Sequence, residues 1–129
     1  MNGELIDDEL VGPYYRSSSP TFQVAIYVGG SAEQACELCR TWVERHPRCV
    51  TVEPLGFVYT GGAEAGVRVK LINYPRFPSS PAELWHAARK LALHLLHGLG
   101  EQSLCLVATD RTEWISRRAL DIAKVEPAP

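Results

Sequence analysis

The chain has 129 residues, 46% of them hydrophobic and 22% charged, which is the size and balance of one globular domain with a core of its own and excludes a fibrous or wholly disordered chain. Thirteen Lys and Arg against fifteen Asp and Glu leave a formal charge of −2, so no overall field draws it to nucleic acid or to an anionic membrane. The opening Met1–Asp8 has no basic segment followed by an apolar run, no stretch approaches the length of a bilayer span, and four cysteines in so apolar a chain are expected as reduced thiols, so a cytoplasmic protein is expected.

Residues 1–20 are acidic and then rich in Gly, Ser and Pro, a mixture that buries little apolar surface, and are expected as a flexible N-terminal arm whose Leu10, Val11, Tyr14 and Tyr15 could dock on the domain or a partner. From Thr21 the pattern alternates strictly, with Phe22, Val24, Ile26 and Val28 on one face and Gln23, Ala25 and Tyr27 on the other, which predicts a half-buried strand. Gly29-Gly30 breaks it. Ser31 with Gln34 three residues on reads as a capping box opening a helix, whose apolar stripe takes in Ala32, Ala35, Cys39, Trp42, Val43 and His46 before Pro47 ends it.

Cys49–Thr60 reads as a second strand, interrupted near Pro54-Leu55-Gly56 by a bulge or an edge position. A glycine-rich loop over residues 61–66 leads into a third strand, Val67–Asn73, stopped by Pro75 and Pro78. Ser80-Pro81-Ala82-Glu83 combines an N-cap, a first-turn proline and a capping-box glutamate, so a second helix runs from there to about Leu96, with Leu84, Ala88, Leu91, Ala92, Leu95 and Leu99 as its apolar stripe. Ser103–Thr109 is a buried strand, Asp110-Arg111-Thr112 a turn, and Glu113–Ser116 a short final strand of a terminal hairpin. The domain is thus expected over 21–118, with a loose tail over 119–129.

This β-α-β-β-α-β order resembles the ferredoxin-like superfold over residues 21–109, which implies an α+β sandwich: an antiparallel sheet with two helices on one face, here with an added C-terminal hairpin strand. In that arrangement the first and third strands are expected side by side and parallel, which would bring Gly29, Gly30 and Ser31 beside Asn73, Tyr74 and Arg76. Backbone N–H groups at a helix start and one arginine would then form a small anion-binding site. That site is similar in placement to the ligand loop of ACT-like regulatory domains. Ile26-Tyr27-Val28-Gly29-Gly30 resembles the first short motif of RNA-recognition-motif proteins, which implies base stacking on Tyr27 with Arg68 and Lys70 alongside; the third strand lacks the second, aromatic-rich motif, and the chain is acidic.

Cys36-x-x-Cys39, His46 and Cys49 are zinc-type residues at close spacing, but the pair lies a turn inside a helix whose stripe includes Cys39, so a core role is expected and no metal. A redox role would need a thiolate at the helix start, which Cys36 does not occupy. His94 and His97 lack a carboxylate at metal-site spacing and are read as a solvated helix face. No cofactor is expected.

The reading is that of a binding module rather than an enzyme, engaging a protein partner or a small anionic ligand and forming a homodimer through a sheet face that presents Tyr27, Arg68, Lys70 and Ile72. The alternatives are a small enzyme with its site at the strand-end loops, or an RNA-binding domain on the open sheet face.

Overall fold

A computed structural model describes residues 3–9 and 12–125. The expected docking residues Leu10 and Val11, and the last four residues of the expected tail, lie outside the described residues.

The arm contains regular structure: β1 (Gly3–Asp8) and β2 (Gly12–Ser17) form an antiparallel hairpin in which Leu5 faces Tyr15 and Glu4 faces Arg16. Gly12 has φ +79°, a conformation glycine adopts without the Cβ penalty, and so starts the returning strand. The acidic run hides this ribbon from an alternation test, because both of its faces are exposed. Ser18–Phe22 then enters the domain, pinned by Asn73. The Ser19 hydroxyl donates to the Asn73 carbonyl at 2.7 Å, the Asn73 amide donates to the Pro20 carbonyl at 2.8 Å, and the Asn73 backbone N–H donates to the Phe22 carbonyl.

β3 (Gln23–Gly29), α1 (Ala32–Arg45), β4 (Val50–Tyr59), β5 (Gly62–Ile72), α2 (Pro81–Gly98) and β6 (Ser103–Ala108) follow in the expected succession, then β7 (Thr112–Ser116) and a short α3 (Ala119–Ala123). The architecture is α+β: a five-stranded antiparallel sheet in the order β4-β5-β3-β6-β7, besides the separate β1-β2 pair. β4 is continuous through Pro54-Leu55-Gly56, which is tolerated because β4 is an edge strand and Pro54 withholds no ladder donor from a second neighbour.

β3 and β5 are neighbours, but antiparallel: Gln23 faces Ile72, and Gly29 faces Gly66. The expected parallel pairing is therefore corrected. A crossover helix returns β4 in the direction of β3, and the tight hairpin then reverses β5 against both.

Inward residues alternate as period two demands: Val24, Ile26 and Val28 on β3, Val67, Val69 and Leu71 on β5, and Leu104, Leu106 and Ala108 on β6 are all buried. α1 lies over β4 and β5, and α2 over β3 and β6, closing the core with Trp42, Leu84, Leu91 and Leu95. Ser31 caps α1 by accepting from the Gln34 N–H at 3.2 Å; only that half of the capping box forms, because the Gln34 side chain donates instead to the Gly98 carbonyl and ties the start of α1 to the end of α2. At α2 both halves of the box form between Ser80 and Glu83. No helix among the described residues is long and apolar enough to cross a membrane.

Candidate functional site

The antiparallel register separates the expected strand-end site into two halves at opposite ends of the sheet. Gly29, Gly30 and Ser31 sit where β3 meets Gly66, while Asn73, Tyr74 and Arg76 follow β5 at the other end.

The glycine end is a closed strand-to-helix turn. The Gly30 N–H donates to the Ala65 carbonyl at 3.1 Å and the Gln34 N–H donates to the Ser31 hydroxyl oxygen, so two of the backbone donors at this turn are already spent. Gly30 has φ +123°, and a Cβ there would meet Leu99; a Cβ on Gly29 would meet the Glu101 carboxylate, with Glu64 close behind. Two carboxylates beside the turn oppose an anion and offset the helix dipole.

The other end is different. Asn73 is spent on structure: its side-chain oxygen accepts from the Ser79 N–H at 2.8 Å while its amide holds Pro20. The clamp brings the base of the β1-β2 hairpin against the loop after β5, and between them opens a cleft of about 600 Å³ lined by Tyr15, Arg16, Ser17, Tyr74, Pro75 and Arg76. That volume lies in the range of small-molecule sites. Tyr74 stacks on Phe77 with ring centroids 6.1 Å apart, and the Arg76 guanidinium lies 5.8 Å from the Phe77 ring centre. Arg16 is ion-paired with Glu4 across the ribbon. Arg76 has no carboxylate within ion-pair distance among the described residues. Of the residues expected at a ligand site, Tyr74 and Arg76 are thus brought together with Tyr15 and Arg16, which sequence reasoning did not select for a ligand. The signal available was the local Tyr-Tyr-Arg run, without anything to say where the arm lands.

The sheet face away from the helices carries a row of side chains in register across all five strands: Glu53, Arg68, Tyr27, Cys105 and Trp114. Arg68 donates to both Glu53 carboxylate oxygens, at 2.8 and 2.9 Å from one nitrogen, a bidentate pairing. That bond holds the Glu53 carboxyl below its usual range. The guanidinium is stabilised in its charged form first by Glu53 and then by the Tyr27 hydroxyl. Of the residues expected on this face, Arg68 is internally satisfied, Tyr27 and Lys70 are half-buried, and Ile72 is exposed at the rim. Trp114, 52% exposed, was not anticipated there.

Cys36, Cys39 and Cys49 line one shallow groove with Arg40 and Arg48, yet among the described residues no three His, Cys, Asp or Glu side chains stand close enough to hold a metal ion. His46 stacks on Trp42, with ring centroids 4.4 Å apart. His94 and His97 part company: His94 Nε2 lies 3.2 Å from the Leu38 carbonyl, and His97 Nδ1 lies 2.9 Å from an Arg117 nitrogen.

No protein-family model matches the chain, and no curated protein matches its sequence. Its structure is similar to that of a phage SAM lyase in the apo state, at a TM-score of 0.64 and 15% identity, covering 75% of this chain and 90% of that one. A phage SAM lyase in complex with S-methyl-5'-thioadenosine matches at a TM-score of 0.67 and 15% identity, over 78% of this chain and 93% of that one. At that identity the likeness is one of fold.

Proposed function

We propose that this protein is a small-molecule-binding domain whose ligand, a planar ring compound bearing an anionic group, enters the cleft between Tyr15–Ser17 and Tyr74–Arg76. The convergence of two tyrosines and two arginines from segments remote in sequence carries this reading. The tyrosines offer faces for a ring, and Arg76 offers an uncommitted fork of donors for a carboxylate or phosphate. The solved protein of similar fold that holds S-methyl-5'-thioadenosine supports adenosine-derived sulfur compounds as the ligand class, with Arg76 favouring those that carry a carboxylate.

S-methyl-5'-thioadenosine and S-adenosylmethionine are the probes, because they share the adenine ring and only the second carries a carboxylate. Isothermal titration should find both bound, the second more tightly. Tyr74→Ala should weaken both by about 1–3 kcal/mol, the usual worth of a base stacked on an aromatic ring. Arg76→Ala should weaken S-adenosylmethionine about tenfold or more and leave S-methyl-5'-thioadenosine nearly unchanged, as expected for one charge-assisted hydrogen bond. No heat of binding from either probe at millimolar concentration would reject the reading. Chromatography of S-adenosylmethionine incubated with the protein separates a binder from an enzyme: only a catalyst consumes it.

The uncovered sheet face favours a second reading, an interaction module that receives a protein partner against Tyr27, Lys70, Ile72 and Trp114.

A further inference from the structure

The two helices meet at a second hollow, about 400 Å³ in volume, between the end of α1, the loop into β4 and the first turns of α2. It shares no lining residue with the tyrosine cleft. Its apolar floor is Trp42 and Ala87, both buried, with Pro47 at the side. His46 stacks on Trp42, and its Nδ1 donates to the Trp42 carbonyl at 3.0 Å, since a carbonyl can only accept. The ring is thereby fixed, and Nε2 is left without a partner among the described residues.

Around this floor stand Arg45, Arg48, His86 and Lys90. Among the described residues neither Arg45 nor Lys90 has a carboxylate within ion-pair distance, and the hydrogen bond that Arg48 makes is to the neutral Ser79 hydroxyl. The acids nearby are committed. Glu83, the one carboxylate on the lining, accepts from the Ser80 N–H at 3.0 Å in the capping box of α2, and Arg48 reaches it only as a charge at a distance. Glu44, next to Arg45 in sequence, pairs with Arg40. The dipole of α1 favours Arg45 in its last turn. It does not account for Lys90, in mid-helix on α2, or for cations from three segments converging on one concavity of a chain that is acidic overall. Like charges gathered without counter-ions repel, and a hollow walled by one sign of charge focuses its potential on an anion.

We propose that this hollow is a second ligand site, for a small molecule with two adjacent phosphate groups, held by Arg45, Arg48 and Lys90 with His46 and His86 at its margin. Arginine forks and a lysine point charge are a common combination at phosphates, and their excess over the one committed carboxylate suits a ligand of more than one negative charge. The volume is of small-molecule size. A nucleic-acid strand spreads its phosphates along a track, whereas these cations ring one concavity.

Isothermal titration with inorganic pyrophosphate tests this, in magnesium-free buffer at about 0.15 M salt to screen the general field of the protein. Circular dichroism establishes that each variant is folded. The parent should bind pyrophosphate, and more tightly than orthophosphate. Arg45→Gln and Lys90→Gln, both at exposed positions, should each weaken binding about fivefold, the upper worth of an exposed ion pair. Arg40→Gln removes a charge from the same helix outside the hollow and should change affinity by less than about twofold, because screening confines such effects to near neighbours. No binding of pyrophosphate at millimolar concentration overturns the site, and so does an equal loss in Arg40→Gln, which would make the effect one of overall charge. A single-stranded oligonucleotide that binds more tightly than pyrophosphate, and loses its hold in Arg45→Gln and Lys90→Gln, overturns the small molecule as the occupant.

Discussion

Cys36 and Cys39 are one helical turn apart and meet opposite surroundings: Cys36 is exposed, while Cys39 lies in the core at 3% exposure. Burial, with a smaller contribution from Cys36, pushes the Cys39 thiol up to about 11. Cys39 is therefore a neutral thiol at any pH near neutrality and a poor nucleophile. Timed alkylation with iodoacetamide at pH 8, followed by peptide mass spectrometry, should modify Cys36 and Cys49 well before Cys39; equal rates would mean that the core opens at α1. The core role of Cys39 was legible in the helical spacing of its stripe. The partner of Arg68 was not, because Glu53 lies fifteen positions away on a neighbouring strand and only the register places it. The same holds for the cleft, where Tyr15 and Tyr74 meet through a linker whose path no local pattern describes.

At the scale of elements, the start of α2 is the part most fully written in the sequence, since a capping box is satisfied by four consecutive residues and needs nothing from elsewhere. Ser80→Ala should cost about 1 kcal/mol in urea denaturation, the usual worth of an N-cap. Glu83 accepts from the Ser80 backbone N–H, and that bond, with the Ser80 side chain next, holds its carboxyl below the ordinary value of 4.5. A folded-state value below the unfolded one means that its stabilisation is complete above about pH 4.5 and is lost as pH falls through the depressed value. Glu83→Gln should therefore lower stability at pH 7 and make progressively less difference in acid; an undiminished penalty at low pH would assign the loss to packing. The orientation of β5 shows the opposite case. Its alternation was legible, but direction follows from connectivity: a crossover keeps β4 parallel to β3 and a hairpin then reverses β5, so an expectation built on parallel neighbours put two loops together that the sheet keeps apart.

For the whole molecule, stability resides in one core between the helices and one face of the sheet. Leu91 is fully buried there, and Leu91→Ala should cost about 2–5 kcal/mol. None of the described residues before Ser18 belongs to that core, so a chain lacking residues 1–17 should unfold with nearly the parent's urea midpoint when both are measured dilute enough to be monomeric. A large loss on truncation would mean that the arm supports its own domain. The layer order was legible because each layer repeats its own period, whereas the arm was not, because a ribbon exposed on both faces has no hydrophobic period to read.

Pro54 lies on the edge strand β4, where it faces Val67 across the pair and contributes no donor to the outer side. The opposite edge, β7, is only five residues long. A continuing stack of chains joined strand to strand would need a long row of free donors and acceptors on both rims, and here one rim is interrupted and the other is short. Growth into open-ended fibrils is thereby discouraged, and concentrated solutions should remain clear.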